Sequence, residues 1–276
     1  MSRVVIVAEM GINHQGDMGT AHKIIAAAKE AGADWVKGQK RCIAEYLTPE
    51  QYNRPYDSPH AFGPTYGEHK EALEFSKDEW DELFRFGADI GMPMFTSVMD
   101  VTSAREMNAL GMDLFKIGSG EVNKIELLEE VKSFGKPILL STGMGAEDEI
   151  AKAVDVLRGA DVTLMHCTSV YPCPSRLLNL RVISTLRETF GLPVGFSGHH
   201  SSVGEDLAAV ALGAVVVERH FTIDRTMKGT DQAASLEPKG LETLVRHIRS
   251  VEEALGSGEI RVLEEELPGR KKARRE

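Results

Sequence analysis

Residues 193–221 read PVGFSGHHSSVGEDLAAVALGAVVVERHF. Two short runs rich in apolar and β-branched residues flank a helix-like stretch. Each run ends in a polar cluster that contains a histidine. A strand–helix–strand unit makes its two strands parallel. Parallel neighbours end on the same side of a sheet, so this reading brings His199 and His220 to one rim. Two imidazoles there either share a metal ion or each bond to nearby backbone as rim histidines.

Outward from this unit the same pattern recurs. Apolar runs at residues 4–8, 35–39, 94–97, 114–117, 138–141, 162–166, 194–197 and 215–218 predict eight strands. Helical patterns follow near residues 20–31, 78–90, 101–110, 125–134, 147–158, 180–190 and 238–255, besides the one in the opening stretch. Ser76-x-x-Glu79 is a capping-box signature for the second of these. Eight strand–helix repeats in 276 residues predict an α/β chain folded as a (β/α)₈ TIM barrel. The runs are continuously apolar, as strands buried on both faces require. The alternative, an open doubly wound sheet, usually carries a glycine fingerprint after its first strand, and Glu9-Met-Gly-Ile-Asn13-His14 lacks that spacing. The barrel is expected over residues 1–262, with one long βα loop at about 41–76 and a basic tail at 263–276. A loop of that length is usually a lid or a substrate wall.

Composition narrows the function classes. A net charge of −10 argues against a general nucleic-acid binder. It still permits an anionic small substrate held by local lysines. No apolar run approaches membrane-spanning length, so no membrane partner is expected. No export signal is read at the N-terminus, and Cys42, Cys167 and Cys173 form no paired framework. They read as reduced thiols of a cytoplasmic protein, with Cys167 as core packing.

In such a barrel the C-terminal strand ends form the active site. Those positions hold Glu9, Asn13 and His14; Lys37 and Gln39; Thr96 and Ser97; Lys116 and Ser119; Ser141 and Thr142; His166, Thr168, Ser169 and Tyr171; Ser197 and His199; and Glu218 and His220. Two lysines and several hydroxyls suit an anion rich in oxygen, although either lysine alone is also explained as an ion-paired rim residue. The glycines flanking Ser119 let backbone N–H groups approach a phosphate. Glu9 either moves a proton or is a buried, paired structural acid. A two-histidine site with open positions suits a divalent ion such as Mn²⁺ or Mg²⁺.

With these residues the sequence closely resembles the sialic acid synthase family. The resemblance is carried in order by residues 8–16 (AEMGINHQG), 36–39 (VKGQ), 65–69 (TYGEH), 73–76 (LEFS), 116–121 (KIGSGE), 140–144 (LSTGM), 166–172 (HCTSVYP), 196–199 (FSGH), 218–221 (ERHF) and 234–238 (ASLEP). It implies a metal-dependent transferase that condenses phosphoenolpyruvate with an N-acetylmannosamine-type amino sugar. The products are a nonulosonic acid and phosphate. It implies phosphoenolpyruvate contacts at Lys37, Ser97, Lys116, Ser119, Ser141 and Ser197, and metal ligands at His199 and His220. Sugar contacts are implied at Glu9, Gln39, Tyr171 and Asp231.

Many bacterial members carry Asp where this chain has Gly198, and Asn where it has Ser169. Together with residues 53–56 (NRPY), these departures resemble the animal-type branch, which implies a sugar that is either free or 6-phosphorylated; Lys40, Arg41 and Arg54 are either ligands of such a phosphate or solvated loop cations. The family also implies a homodimer in which a small C-terminal antifreeze-like domain reaches the partner's site. The tail at 270–275 resembles the linker to that domain. A separate cap-domain chain, the long loop, or a different substrate are the alternatives. A related synthase acting on another aldose phosphate, and a non-catalytic barrel subunit, are the rival functions.

Overall fold

The computed structural model describes residues 3–274. Its eight strands are β1 (Val5–Gly11), β2 (Trp35–Lys40), β3 (Met94–Val98), β4 (Phe115–Ile117), β5 (Ile138–Ser141), β6 (Val162–Cys167), β7 (Val194–Gly198) and β8 (Val216–His220). Each pairs in parallel with the next, and β8 returns to β1, so the barrel is closed. β3, β5, β7 and β8 are buried along their whole length, the pattern expected of a sheet covered on both faces.

The helices are α1 (Met18–Glu30), α2 (Ile43–Tyr46), α3 (Pro49–Tyr52), α4 (Tyr66–Glu71), α5 (Lys77–Ile90), α6 (Val101–Ala109), α7 (Ile125–Ser133), α8 (Glu147–Val156), α9 (Val182–Phe190), α10 (Gly204–Ala211), α11 (Pro238–Leu255) and α12 (Leu267–Arg274). Local chemistry sets their starts. Asp17 and Asp100 cap α1 and α6, and the expected Ser76–Glu79 box opens α5. α5 lies tight on β2 because Gly38 has no side chain. A Cβ there would stand 2.3 Å from the Trp80 ring, which is fully buried.

Two expectations change. β1 runs three residues beyond the expected end, through a bulge between Glu9 and Gly11 that carries the strand into the mouth. The segment 41–76 is not a plain loop. It folds into α2, α3 and α4, with capping boxes Thr48–Gln51 and Thr65–Glu68 and an isolated bridge between Pro55 and Thr65. The tail forms α12, which is exposed; its last two residues lie outside the described ones.

Candidate active site at the C-terminal mouth

Alternation along each strand decides which polar residues meet. Glu9, Lys37, Gln39, Ser97, Lys116, Ser119, Ser141, Tyr171, Ser197, His199 and His220 all line one cavity of about 330 Å³ at the mouth. Their neighbours of opposite parity point out toward the helices. Thr96 bonds to Met112 Sδ, His166 Nε2 lies 2.7 Å from Leu178 O, and Arg219 packs behind β8. Asn13 bonds to Phe221 O and Ser235 Oγ, and His14 stacks on Phe75, so both brace the mouth.

The floor is an alternating chain of charges. Lys37 Nζ is 2.7 Å from Glu9 Oε2 and donates to Ser97 Oγ at 2.8 Å. Lys116 Nζ donates to both Glu218 oxygens, at 3.1 and 3.0 Å, and Ser197 Oγ donates to Glu218 at 3.0 Å. Lys37 stands 4.0 Å from the same carboxylate, which joins the two pairs. Burial opposes the charge on Lys37, but Glu218 and Glu9 outweigh it and hold its pKa above the ordinary lysine value. Burial likewise works against an ionised Glu218, yet Lys116 and Lys37 keep its pKa well below the usual carboxylate range. These lysines are therefore not free rim charges: both are paired.

The chain of contacts continues outward. Gln39 Nε2 donates to Glu9 at 3.1 Å, and its Oε1 accepts from Arg41 at 2.6 Å. An acceptor on one side and a donor on the other fix the amide's orientation. Arg41 is in turn paired with Glu74 at 3.0 Å. Gly11, at the bulge, faces three of the expected sugar contacts. A Cβ there would lie 3.2 Å from Glu9 Oε1, 3.3 Å from Gln39 Nε2 and 3.6 Å from Asp231 Oδ2.

His199 and His220 stand together with ring centroids 5.5 Å apart, and Tyr171 covers His199 at 4.1 Å. His199 Nδ1 is 3.0 Å from Thr168 O, which fixes that ring and leaves Nε2 toward the cavity. Burial, with His220 nearby, lowers the His199 pKa to about 3 and keeps its ring neutral. His220 Nδ1 is buried with no hydrogen-bond partner, 3.9 Å from Asp231 Oδ2. No group of three or more His, Cys, Asp or Glu suited to a metal occurs among the described residues.

One expectation is corrected and two are extended. Lys40 and Arg41 are buried and paired, Lys40 with Phe75 O and Glu106 and Arg41 with Glu74, so neither is available to a sugar phosphate. Cys167 is buried, as expected, and it also lines the cavity with its Sγ 3.1 Å from Ser119 Oγ. Glu218, read on the rim but given no role, is the hub of the floor; its parity with His220 on β8 was the available signal. At the lip, Lys70 and Lys228 lie over the Tyr66 and Phe62 rings at 5.3 and 4.6 Å. Arg54 lies over Tyr66 at 5.0 Å.

The pattern of the NeuB family matches residues 24–260. The chain is 43% identical to the human N-acetylneuraminate-9-phosphate synthase over 255 residues, which is 91% of this chain and 71% of that protein. It is 37% identical to the N,N'-diacetyllegionaminic acid synthase of Campylobacter jejuni, over 94% of this chain and 79% of that one. The crystal structure of an N-acetylneuraminic acid (sialic acid) synthetase from Leptospira borgpetersenii in complex with citrate superposes with a TM-score of 0.86. That alignment shares 30% identity and covers 99% of this chain and 92% of the other.

Proposed function

The chain belongs to the NeuB family, carbon–carbon bond-forming transferases that condense phosphoenolpyruvate with a sugar, and on that premise we propose that its acceptor is an N-acetylmannosamine-type aldose carrying a 6-phosphate. The observation that carries the reading is the single cavity joining a Lys–Glu–Lys–Glu floor to a histidine pair.

The two lysines and the hydroxyls of Ser97, Ser119, Ser141 and Ser197 hold the phosphate and carboxylate of phosphoenolpyruvate. Glu9, Gln39, Tyr171 and Asp231 hold the sugar beside it. Carbon three of phosphoenolpyruvate attacks the acceptor aldehyde, forming the new C–C bond and leaving positive charge at carbon two. The carbonyl π pair of the aldehyde moves onto its oxygen, which takes up a proton as the water adding at carbon two gives one up. The resulting tetrahedral centre breaks its carbon–oxygen bond to phosphate, which departs. Glu218, ionised beneath the phosphate lysines, offsets charge at carbon two. Glu9, tied to Gln39, orients the acceptor hydroxyls. Holding both substrates in attack geometry contributes roughly 7–11 kcal/mol toward the barrier.

The histidine pair fits a divalent cation, Mn²⁺ or Mg²⁺. Its rings are close, His199 is neutral with its far nitrogen anchored, and His220 Nδ1 has no competing bond. When bound, such an ion supplies Lewis acidity to the acceptor's carbonyl oxygen. The floor alternates in sign, so an incoming polyanion also requires compensating positive charge nearby. The 6-phosphate reading rests on Lys70 and Lys228, which face aromatic rings and have no carboxylate within ion-pair distance among the described residues. Burial and the neighbouring Arg41 lower the Lys70 pKa to about 8, and the more distant Asp231 and Glu74 only partly offset them.

The test is mass spectrometry of products from phosphoenolpyruvate, Mn²⁺ and a panel of aldoses with and without 6-phosphate. A nine-carbon acid phosphate is expected from the phosphorylated amino sugar. Phosphate release that ignores the acceptor, or survives a chelator, overturns the synthase reading. Preference for the unphosphorylated sugar overturns the finer one.

A further inference from the structure

β7 and β8 stop pairing just before the histidines. The last partners in their ladder are Gly198 and Arg219. His199 and His220 are the next residues along the two strands and line the mouth just past that last rung. The side chain of Arg219 adds a second link between the two strand ends from behind. It leaves β8 on the outer face, fully buried, and donates to the carbonyls of His200 and, at 2.9 Å, Ser202. Those carbonyls lie one and three residues after His199.

The guanidinium is itself clamped. Its Nη1 is 2.5 Å from Asp206 Oδ2 on α10 and 3.3 Å from His200 Nε2, and His200 Nε2 stands 3.3 Å from the same Asp206 oxygen. The His200 ring folds back over Gly198, where a Cβ would stand 2.7 Å from its Cε1. The absence of a side chain at Gly198 is thus the room this ring uses.

Stability alone does not account for the cluster. Three of its polar atoms, Arg219 Nε, Asp206 Oδ1 and His200 Nδ1, are buried without a hydrogen-bond partner. A partly satisfied buried ion cluster is inferior to apolar packing of the same volume. What it does provide is a fixed link between two strand ends, each carrying one histidine of the candidate metal pair.

We propose that Arg219, held by Asp206 and His200, is a positioning residue that sets the separation of His199 and His220 and thereby their affinity for a divalent cation. The proposal rests on the metal reading of that pair. Mn²⁺ titration of the full chain, followed by electron paramagnetic resonance, is compared with thermal unfolding in the absence of metal. The variants are Arg219→Lys, Asp206→Asn, His220→Ala and, as a control of destabilisation alone, Leu128→Ala in the core beneath α7. Wild type is expected to bind Mn²⁺ and His220→Ala to lose it. Arg219→Lys should weaken binding by roughly 10–100-fold, the usual cost of losing support behind a ligand. Asp206→Asn should weaken it by a smaller factor, and it serves alone if Arg219→Lys does not fold. Leu128→Ala should unfold earlier with wild-type affinity. Unchanged affinity in both cluster variants, or equal weakening in Leu128→Ala, overturns the proposal while leaving the metal reading intact. Wild-type binding that is absent, or that survives His220→Ala, overturns the metal reading and the proposal with it.

Discussion

Glu218 and Arg219 are adjacent on β8 and both are buried, yet they belong to two charged clusters that differ in kind. Glu218 points inward, and its partners Lys116, Lys37 and Ser197 line a cavity. Substrate oxygens can take over bonds that the glutamate now accepts. Arg219 points outward, and its partners Asp206, His200 and Ser202 border no such space. Its partners are all protein groups behind the sheet. The same chemistry, a buried ion pair, faces a cavity on one side of a strand and packed protein on the other, and the difference is one residue of parity.

The comparison can be broken at either cluster. The largest effect is expected behind the sheet. Asp206→Ala strands the Arg219 charge and should destabilise the fold by about 3–5 kcal/mol in a urea titration. A loss within 1 kcal/mol would show that Arg219 finds other partners. Inside the mouth, Lys116→Met should lower kcat by roughly 10²–10³-fold, because a charge aimed at the developing phosphate is gone. Steady-state phosphate release with saturating phosphoenolpyruvate measures this. Turnover within tenfold of wild type would mean that Lys116 makes no contact with the reacting phosphate.

A third kind of buried group sharpens the contrast, because it is ionisable but uncharged. Burial, assisted by Arg41, lowers the His14 pKa to about 3, and the neutral ring accepts a bond from Gly16 N at 3.0 Å. In the unfolded chain the same residue titrates near 6.5, so below that pH the unfolded state binds the extra proton. Stability is then present above pH 6.5 and is lost as pH falls, by about 2 kcal/mol at pH 5 from this residue. His14→Asn should flatten that slope in thermal melts from pH 7 to 5. The smallest effect is expected at the lip. Lys70→Ala should raise KM for a 6-phosphorylated acceptor by about tenfold, the scale of one half-buried charge-assisted bond, with KM for phosphoenolpyruvate unchanged. Equal effects on both substrates would move Lys70 from the sugar to the floor.

The barrel was legible because eight apolar runs, each buried on both faces, alternate with capped helices. The same double burial hid parity. A strand that shows no hydrophobic alternation does not declare which residues face the mouth, so Thr96, His166 and Glu218 were read on equal terms as rim residues. The helices α3 and α4 carry Thr-x-x-Gln and Thr-x-x-Glu signatures as plain as that of α5, but their prolines and short length made the segment read as loop. The pairing of Arg41 with Glu74 closes a separation of 33 residues and leaves no local trace. Long-range partners of this kind decide whether a lysine or arginine is free, which is why Lys40 and Arg41 read, with Arg54, as available anion ligands although Glu106 and Glu74 already hold them.

The bulge at Gly11 has a consequence for redesign. The space bounded by Glu9, Gln39 and Asp231 is kept open by a hydrogen atom on the backbone, at a φ of +53° that glycine adopts freely. The main chain thus sets the width of the cavity at this point. A single methyl at Gly11, at a backbone cost of about 1 kcal/mol, would press on Glu9 and Gln39 and, through the Glu9–Lys37 pair, carry the change to the lysine floor.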